Sequence, residues 1–392
     1  MEDVAFRVVA GNQQPDHATL ARFRGRHQEA IAGLFTQVLG LCVSEGLVAT
    51  GVVSIDSTKI EANASAWSNR TRVQIAEEIL AEAERIDAAE DAQWGERRGG
   101  ELPPRWAGRR DRRPRLGEAL RQLEERGASD WESYQAERAA KEKAAGRRLP
   151  GRKPRPQSKK AKRRQANTTD PDSRMLRARN RFLQGYNAQA AISEDQVIVA
   201  AELTNAANDS TMFAPLVQAT QANLAAAGRD HPVGAYAADA GYWSVPNATL
   251  DTGAELLIAP IPATRGITDP DDPRLADRHK VLDRHQAGQI TLKQAAAQMG
   301  VSENWARYLR DTRRAGGLDP AQVRKVMLQR LASEEGKVRY AKRWFTAEPT
   351  FGNIKSNLRF RRFARRGQEA VLSEWRLICS IHNLLKLRNA MG

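Results

Sequence analysis

Cysteine is scarce here. Cys42 and Cys379 are the two in 392 residues, far apart, with no CxxC and no Cys/His pair at metal-ligand spacing. That leaves no basis for a disulfide framework or a zinc finger, and a reducing compartment is the expectation. The six histidines form no triad. No apolar run approaches membrane-spanning length, and the amino terminus lacks the basic-then-apolar pattern of a signal segment, so a soluble, cytoplasmic protein with no membrane partner is expected. Acid is also in short supply: 47 Asp+Glu stand against 62 Lys+Arg, a net charge of +15 and a pI of about 10.1. Such a surplus points to a polyanionic partner, nucleic acid ahead of an acidic membrane surface. The length excludes a small stapled scaffold and suits two or three structural units.

The positive charge is uneven. Between Lys141 and Gln165 twelve Lys/Arg residues face one acid, Glu142, so +11 of the net +15 lies in this stretch. A second cluster, Arg359, Arg361, Arg362, Arg365 and Arg366, meets no acid until Glu369.

Residues 1 to about 50 read as helical, with Ile31, Leu34, Phe35, Val38, Leu39 and Leu41 near helical spacing. Gly51 to Asp56 then reads as a short β-branched strand ending at or just past an aspartate. From about 69 to 181 the chain is rich in Glu, Arg, Ala and Lys, which reads as an inserted segment: one or two helices, with Ile75, Ile79, Ala83 and Ile86 as a stripe, then a flexible basic stretch. Residues 185–192 and 196–201 predict a hairpin around Ser193-Glu194-Asp195. A helix over 211–227, strands over 235–238 and 255–260, and two closing helices over about 348–363 and 368–387 follow. This order predicts an α/β protein with a mixed sheet flanked by helices, and it matches the ribonuclease H-like architecture, in which the first and fourth strands lie side by side and present one acid each.

Three acids have settings that suit one divalent-metal site. Magnesium takes a few carboxylates and lets phosphate and water complete its shell. Asp56 and Asp239 each end a predicted strand, where an acid faces a cleft; the alternative is that each caps a turn. For Glu348, Pro349 suits a first helical turn with Thr346 as cap. At about 100° per residue Lys355 and Arg359 then fall within roughly 20° of Glu348, so one face offers a metal ligand followed by phosphate ligands. An amphipathic helix with a solvated basic face is the alternative.

These segments also carry a resemblance. Asp56 to Ser65, Gly185-Tyr186-Asn187-Ala188-Gln189, Ala238-Asp239-Ala240-Gly241-Tyr242, Glu348 to Lys355 and the closing Trp375 to Lys386 resemble, in order, the successive motifs of bacterial insertion-sequence transposases of the DDE type. The resemblance implies a ribonuclease H-like catalytic domain, Mg2+ or Mn2+ as cofactor, and Asp56, Asp239 and Glu348 as catalytic metal ligands. It implies DNA as partner, both element ends and target, with a homo-oligomer assembled on it and the nucleoid as location. It further implies a Tyr-Arg-Glu-Lys signature, approximated by Tyr340, Arg343, Glu348 and Lys355, with the Arg-to-Glu interval one residue longer than the pattern. Relatives carry a longer amino-terminal helical domain, of which Asp3 to Arg24 resembles the later part. The expected layout is a partial helical DNA-binding domain over 1–50 and a catalytic domain over 51–392, interrupted at 69–181 and 280–316.

Other residues are candidates for contacting DNA. Residues 289–314 read either as a helix-turn-helix, with Gly300 at the turn and Arg307, Arg310, Arg313 and Arg314 reaching DNA, or as an ordinary pair of packed helices. Lys355, Arg359 and Arg362 suit phosphate. Trp243 could stack on an extruded base or be partly buried support. The basic run at 141–165 suits a DNA-clinging arm or a solvated linker. Two rival functions stand beside the transposase: a non-catalytic DNA-binding regulator of transposition, and a ribonuclease H-like nuclease without strand transfer.

Overall fold

The computed structural model describes residues 28–81, 113–145, 164–178, 181–229, 231–260, 273–303, 306–307 and 320–391, with isolated positions between 13 and 27 and at 85. The main sheet has six strands: β1 Val52–Glu61, β4 Arg174–Arg177, β5 Phe182–Ile192, β6 Ile198–Thr204, β7 Ala235–Ala238 and β8 Glu255–Ile258. Its order is β4-β5-β1-β7-β8, with β6 also on β5. β1 is antiparallel to β5 and parallel to β7, and β7 is parallel to β8, so the sheet is mixed and its first strand lies beside the Asp239 strand as the sequence order predicts.

Side chains alternate across this sheet and divide the core in two. On one face Val53, Ile55, Tyr236, Ala238 and Ile258 pack with α1 (Gln28–Ser44), through Leu39 and Cys42, and with α3 (Phe213–Ala226). On the other, Ile60, Tyr186, Ala188, Ala190 and Ile192 pack with α8 (Glu334–Gly352) and α9 (Gln368–Met391). Trp375 of α9 stacks on Phe351 of α8 with centroids 6.5 Å apart and donates its indole N–H to the Gln189 carbonyl at 3.0 Å. Asn383 pairs with the backbone of β6 like an extra strand residue, accepting from Ile198 N and donating to Ile198 O, each at 2.8 Å.

Two strand and helix limits differ from the sequence reading. β1 does not end at Asp56 but runs on to Glu61, because Thr58 and Ile60 keep the buried alternation, so Asp56 sits in mid-strand. α8 begins at Glu334, well before Glu348, because Ser333 caps it by accepting from Gly336 N at 3.0 Å. Thr346 is therefore no cap; its hydroxyl donates to Ser54 Oγ of β1 at 2.7 Å. Pro349 lies inside the helix, where it cannot donate to the Phe345 carbonyl. The Gln196 side-chain amide donates to that carbonyl instead, at 2.7 Å.

The inserted segment is partly ordered into the fold. The short strands β2 (Asn69–Thr71) and β3 (Gln165–Asn167) pair, and Ile75, Leu116, Ala119 and Leu123 form a small core between a helical stretch at 72–81 and α2 (Arg113–Ala145). Its last part rejoins the main sheet as β4, so the insertion does not stay separate up to 181. Ala83, Ile86 and the basic stretch from 146 to 163 lie outside the described residues, as does most of the segment before 28. Between β8 and α7 (Pro320–Ala332), α5 (Pro273–Gln286) and α6 (Leu292–Gln298) share a core of Leu282, Ala295, Ala296, Met299 and Ala306. Thr291 and Gln294 form a capping box, and Gly300 turns the chain at φ +64. Arg307 is helical and pairs with Glu303, while Arg310, Arg313 and Arg314 lie outside the described residues. Among the described residues no helix is long and apolar enough to cross a membrane.

Candidate active site

The site forms where β7 stops and β1 continues. The parallel register pairs Val52 with Ala235 and Ile55 with Ala238, and β7 ends there, so Asp239 follows at the level of Asp56. The alternation that turns Ser54 toward α8 turns Asp56 the same way, and Arg343 of α8 reaches it: Nη2 lies 3.1 Å from Asp56 Oδ2. The other Asp56 oxygen accepts from Ser57 N at 2.7 Å. Asp239 caps the short turn Ala240–Tyr242 by accepting from Gly241 N at 2.8 Å, so the turn-cap role and the place beside Asp56 coexist.

A third aspartate stands close by. Asp209, in the loop before α3, accepts from the side-chain amides of Asn187 and Gln189 at 2.5 and 2.9 Å, and Lys59 Nζ lies 3.4 Å from its other oxygen. A Cβ at Gly241 would lie 3.0 Å from Asp239 Oδ1 and 3.1 Å from Asp209 Oδ2, so glycine there lets both carboxylates flank one point. Sequence reasoning missed Asp209, Lys59 and Arg181. Asn208-Asp209-Ser210 carries an ordinary turn signal, and its approach to Asp239 depends on long-range pairing.

Electrostatics tie these groups together. Burial pushes the Asp56 carboxyl above its ordinary pKa; Arg343 and the Ser57 N–H pull it down, and Asp239 and Asp209 push it up. Burial works to lower Arg343, but Asp56, Tyr340 and Asp239 outweigh it and its pKa rises. Burial raises the Tyr242 hydroxyl, with Asp209, Asp56 and Asp239 adding to the effect. The hydroxyl donates to Gln189.

Glu348 is on α8 and exposed, and among the described residues its side chain has no hydrogen bond or ion pair. Among the described residues no three acids or histidines come together as a metal-holding group. The donor set on hand is the Asp56 and Asp239 oxygens, which fits the share that a protein commonly gives magnesium, one or two carboxylates with phosphate and water completing the octahedron. Glu348 would have to close in to complete a triad.

The cations that follow do not continue one helical stripe. α8 gives way to a π-helical turn, Asn353–Asn357, and the chain reverses at Arg359, whose φ is +54. Arg359 is thus exposed but off the Glu348 face. The next residues lie along the end of β1: Glu61 N donates to Arg361 O at 3.2 Å and Phe363 N to Glu61 O at 2.8 Å. Arg362 is engaged with the loop after β1, bonding Ala62 O at 3.2 Å and Asn63 Oδ1 at 3.3 Å. Lys355 is half-buried; burial lowers its pKa, and the neighbouring Arg361, Lys59 and Arg181 lower it further. These four cations form a patch toward the Glu61 end of β1. Tyr340 packs near Val52, Ala235 and Leu257, its hydroxyl 3.3 Å from Arg343 Nη1. Trp243 is partly buried against the core, which agrees with its support reading.

A mixed sheet flanked by helices, with Asp56 in mid-strand and Asp239 just past the end of the adjacent strand, defines an α/β protein with paired carboxylates in its sheet. Residues 307–388 match the family described as the transposase DDE domain. The match agrees with the resemblance to DDE-type transposases: over those residues, about a fifth of its length, the chain is similar to the transposase DDE domain. It spans Tyr340, Arg343, Glu348, Lys355, Arg359 and Arg362, and leaves Asp56 and Asp239 outside. No curated protein and no solved structure matches the chain.

Proposed function

We propose that this chain is a DNA transposase with a ribonuclease H-like catalytic domain, cutting at insertion-sequence ends and joining the freed end to target DNA. The observation that carries the reading is that adjacent strands bring Asp56, within β1, and Asp239, just after β7, to one level, with Arg343 of the helix in the family match on Asp56. In this reading Asp56 and Asp239 hold Mg2+ or Mn2+, and Glu348, whose side chain has no other partner among the described residues, completes the set. A bound divalent cation would supply Lewis-acid polarisation of the phosphodiester and activation of the attacking oxygen. The chain's own residues orient the strand: Lys355, Arg359 and Arg362 neutralise phosphate, Tyr340 and Arg343 set the scissile group, and Trp243 borders the cleft. Arg307, in the helical unit between β8 and α7, contacts flanking DNA, and Arg310 is assigned the same role. In the first step water attacks phosphorus and the P–O3′ bond breaks, leaving a 3′ hydroxyl. That hydroxyl then attacks a target phosphodiester, forming one P–O bond and releasing the target strand's 3′ oxygen. The protein acts at the nucleoid as a homo-oligomer on DNA.

The test is strand cleavage on element-end duplex with Mg2+. Asp56→Asn and Asp239→Asn should each abolish cutting while binding DNA as before; cutting retained in both variants would sink the assignment. Salt-dependent binding without any cleavage by the unaltered chain would favour the non-catalytic DNA-binding reading.

A further inference from the structure

The Arg343 guanidinium occupies the position where the carboxylate pair is most needed. Its Nη2 engages Asp56 Oδ2, its Nη1 meets the Tyr340 hydroxyl, and the guanidinium carbon stands 5.7 Å from the Tyr340 ring centre. The ion pair is largely buried, with side-chain exposures of 12% and 19% for Arg343 and Asp56. With Ser57 N on the other oxygen, both Asp56 oxygens are engaged. A divalent cation binding Oδ2 at about 2.1 Å would have to sit against this fixed positive charge. The two cations compete for one carboxylate.

The same guanidinium is incompletely satisfied. Arg343 Nε is buried and has no hydrogen-bond partner among the described residues. A buried donor without an acceptor is costly, and arginine presents its donors as a planar fork that fits two oxygens of one phosphate. Lys59 and the cation patch beside Lys355 lie beyond Asp56 along β1, where a DNA backbone would be held next to this fork.

We propose that Arg343 guards the metal site: in the DNA-free protein it holds Asp56, and a phosphodiester of bound DNA draws it away, so that metal and DNA binding promote each other. This rests on the carboxylate reading above and adds its regulation. Cleavage-competent metal would then load on the DNA complex rather than on the idle protein. Linkage makes the effect reciprocal: the factor by which DNA tightens metal binding is the factor by which metal tightens DNA binding.

The experiment is Mn2+ binding to the full chain, read by the loss of the free-ion paramagnetic signal, with and without a short duplex at low salt. Asp56→Asn defines the part that belongs to the site and removes Mn2+ held by DNA alone. For the unaltered chain, DNA should tighten Asp56-dependent Mn2+ binding by about tenfold or more, within the usual range of couplings. Arg343→Gln should bind Mn2+ without DNA as tightly as the unaltered chain does with it, and lose the coupling. Arg343→Lys, which keeps the charge but not the fork, should retain part of it and guards against a misfolded Gln variant; thermal melts of both check folding. Equal Mn2+ affinity with and without DNA in the unaltered chain would overturn the proposal, and so would full coupling in Arg343→Gln. If no Asp56-dependent Mn2+ binding occurs in any state, the carboxylate reading fails and takes the proposal with it.

Discussion

Asp56 and Asp239 are held by neighbouring strands, one in the middle of β1 and the other capping the turn just after β7. Glu348 rides on α8, exposed, and its side chain has no hydrogen bond among the described residues. The pair is ordered when the sheet folds, so its conformational cost falls on folding. A long side chain left free must be ordered when it binds, at a cost of order 1 kcal/mol. On the proposed reading the two aspartates form a standing half-site, and the third ligand belongs to the loaded complex.

The largest effects separate these halves. Asp56→Asn should lower cleavage by at least about 100-fold, beyond the usual loss from an outer-shell partner of a metal. It should also remove Mn2+ binding by the DNA-free Arg343→Gln protein. Glu348→Gln should lower cleavage as much but leave that DNA-free Mn2+ binding unchanged. If Glu348→Gln weakens Mn2+ in the absence of DNA as strongly as Asp56→Asn, the distinction between standing and late ligands is lost. Next comes Gly241→Ala. Its methyl would press on Asp239 and Asp209 together, and such overpacking costs about 1 to 3 kcal/mol. Lower stability in urea with weaker Mn2+ binding is expected; an unchanged melt would mean that the loop yields freely. Thr346→Val is milder. It keeps the shape but removes the bond to Ser54 Oγ that fixes α8 on β1, and a loss of about 1 kcal/mol is expected in the same melts.

Much of the sheet was legible. β7 has its predicted limits because Ala235 to Ala238 is fully buried on both faces, and the β5–β6 hairpin announced itself through its turn. The β1 and α8 limits were misread for related reasons. Asp56-Ser57-Thr58 looks like a strand stop locally, yet β5 pairs with β1 through Glu61. Pro349 looks like a helix start, and the substitute donor that lets it sit inside α8 is Gln196, more than a hundred residues away in sequence. Asp209 and the Arg343–Asp56 pair were invisible for the same cause: each depends on a long-range contact, and neither residue type nor spacing reports one. The DNA-facing stripe predicted from Glu348 through Lys355 to Arg359 assumed a uniform helical period, which the π-helical turn interrupts.

That turn gives the comparison its finest test, through His382. The ring sits beneath the end of the Glu348 helix, with Nδ1 3.0 Å from Asn353 Nδ2 and Nε2 2.8 Å from the Gln196 carbonyl. A carbonyl accepts, so the neutral ring donates from Nε2 and takes the Asn353 amide hydrogen at Nδ1. Protonation would place a hydrogen on Nδ1 facing that amide. Burial lowers the His382 pKa from its ordinary 6.5, Lys386 adds to the effect, and the Gln196 bond opposes it. The folded state therefore holds fewer protons than the unfolded chain as pH falls through 6.5, and this contribution to stability, complete above that pH, is lost below it. Urea melts between pH 8 and pH 5.5 should show the decline in the unaltered chain and a flatter profile in His382→Gln. The difference between the two isolates the histidine, because the buried carboxylates Asp56 and Asp170, whose raised pKa values work in the opposite sense, are common to both. An identical slope in the variant would mean that the end of α8 is not held through this ring. Its looseness would then extend from the Glu348 side chain to the backbone that carries it.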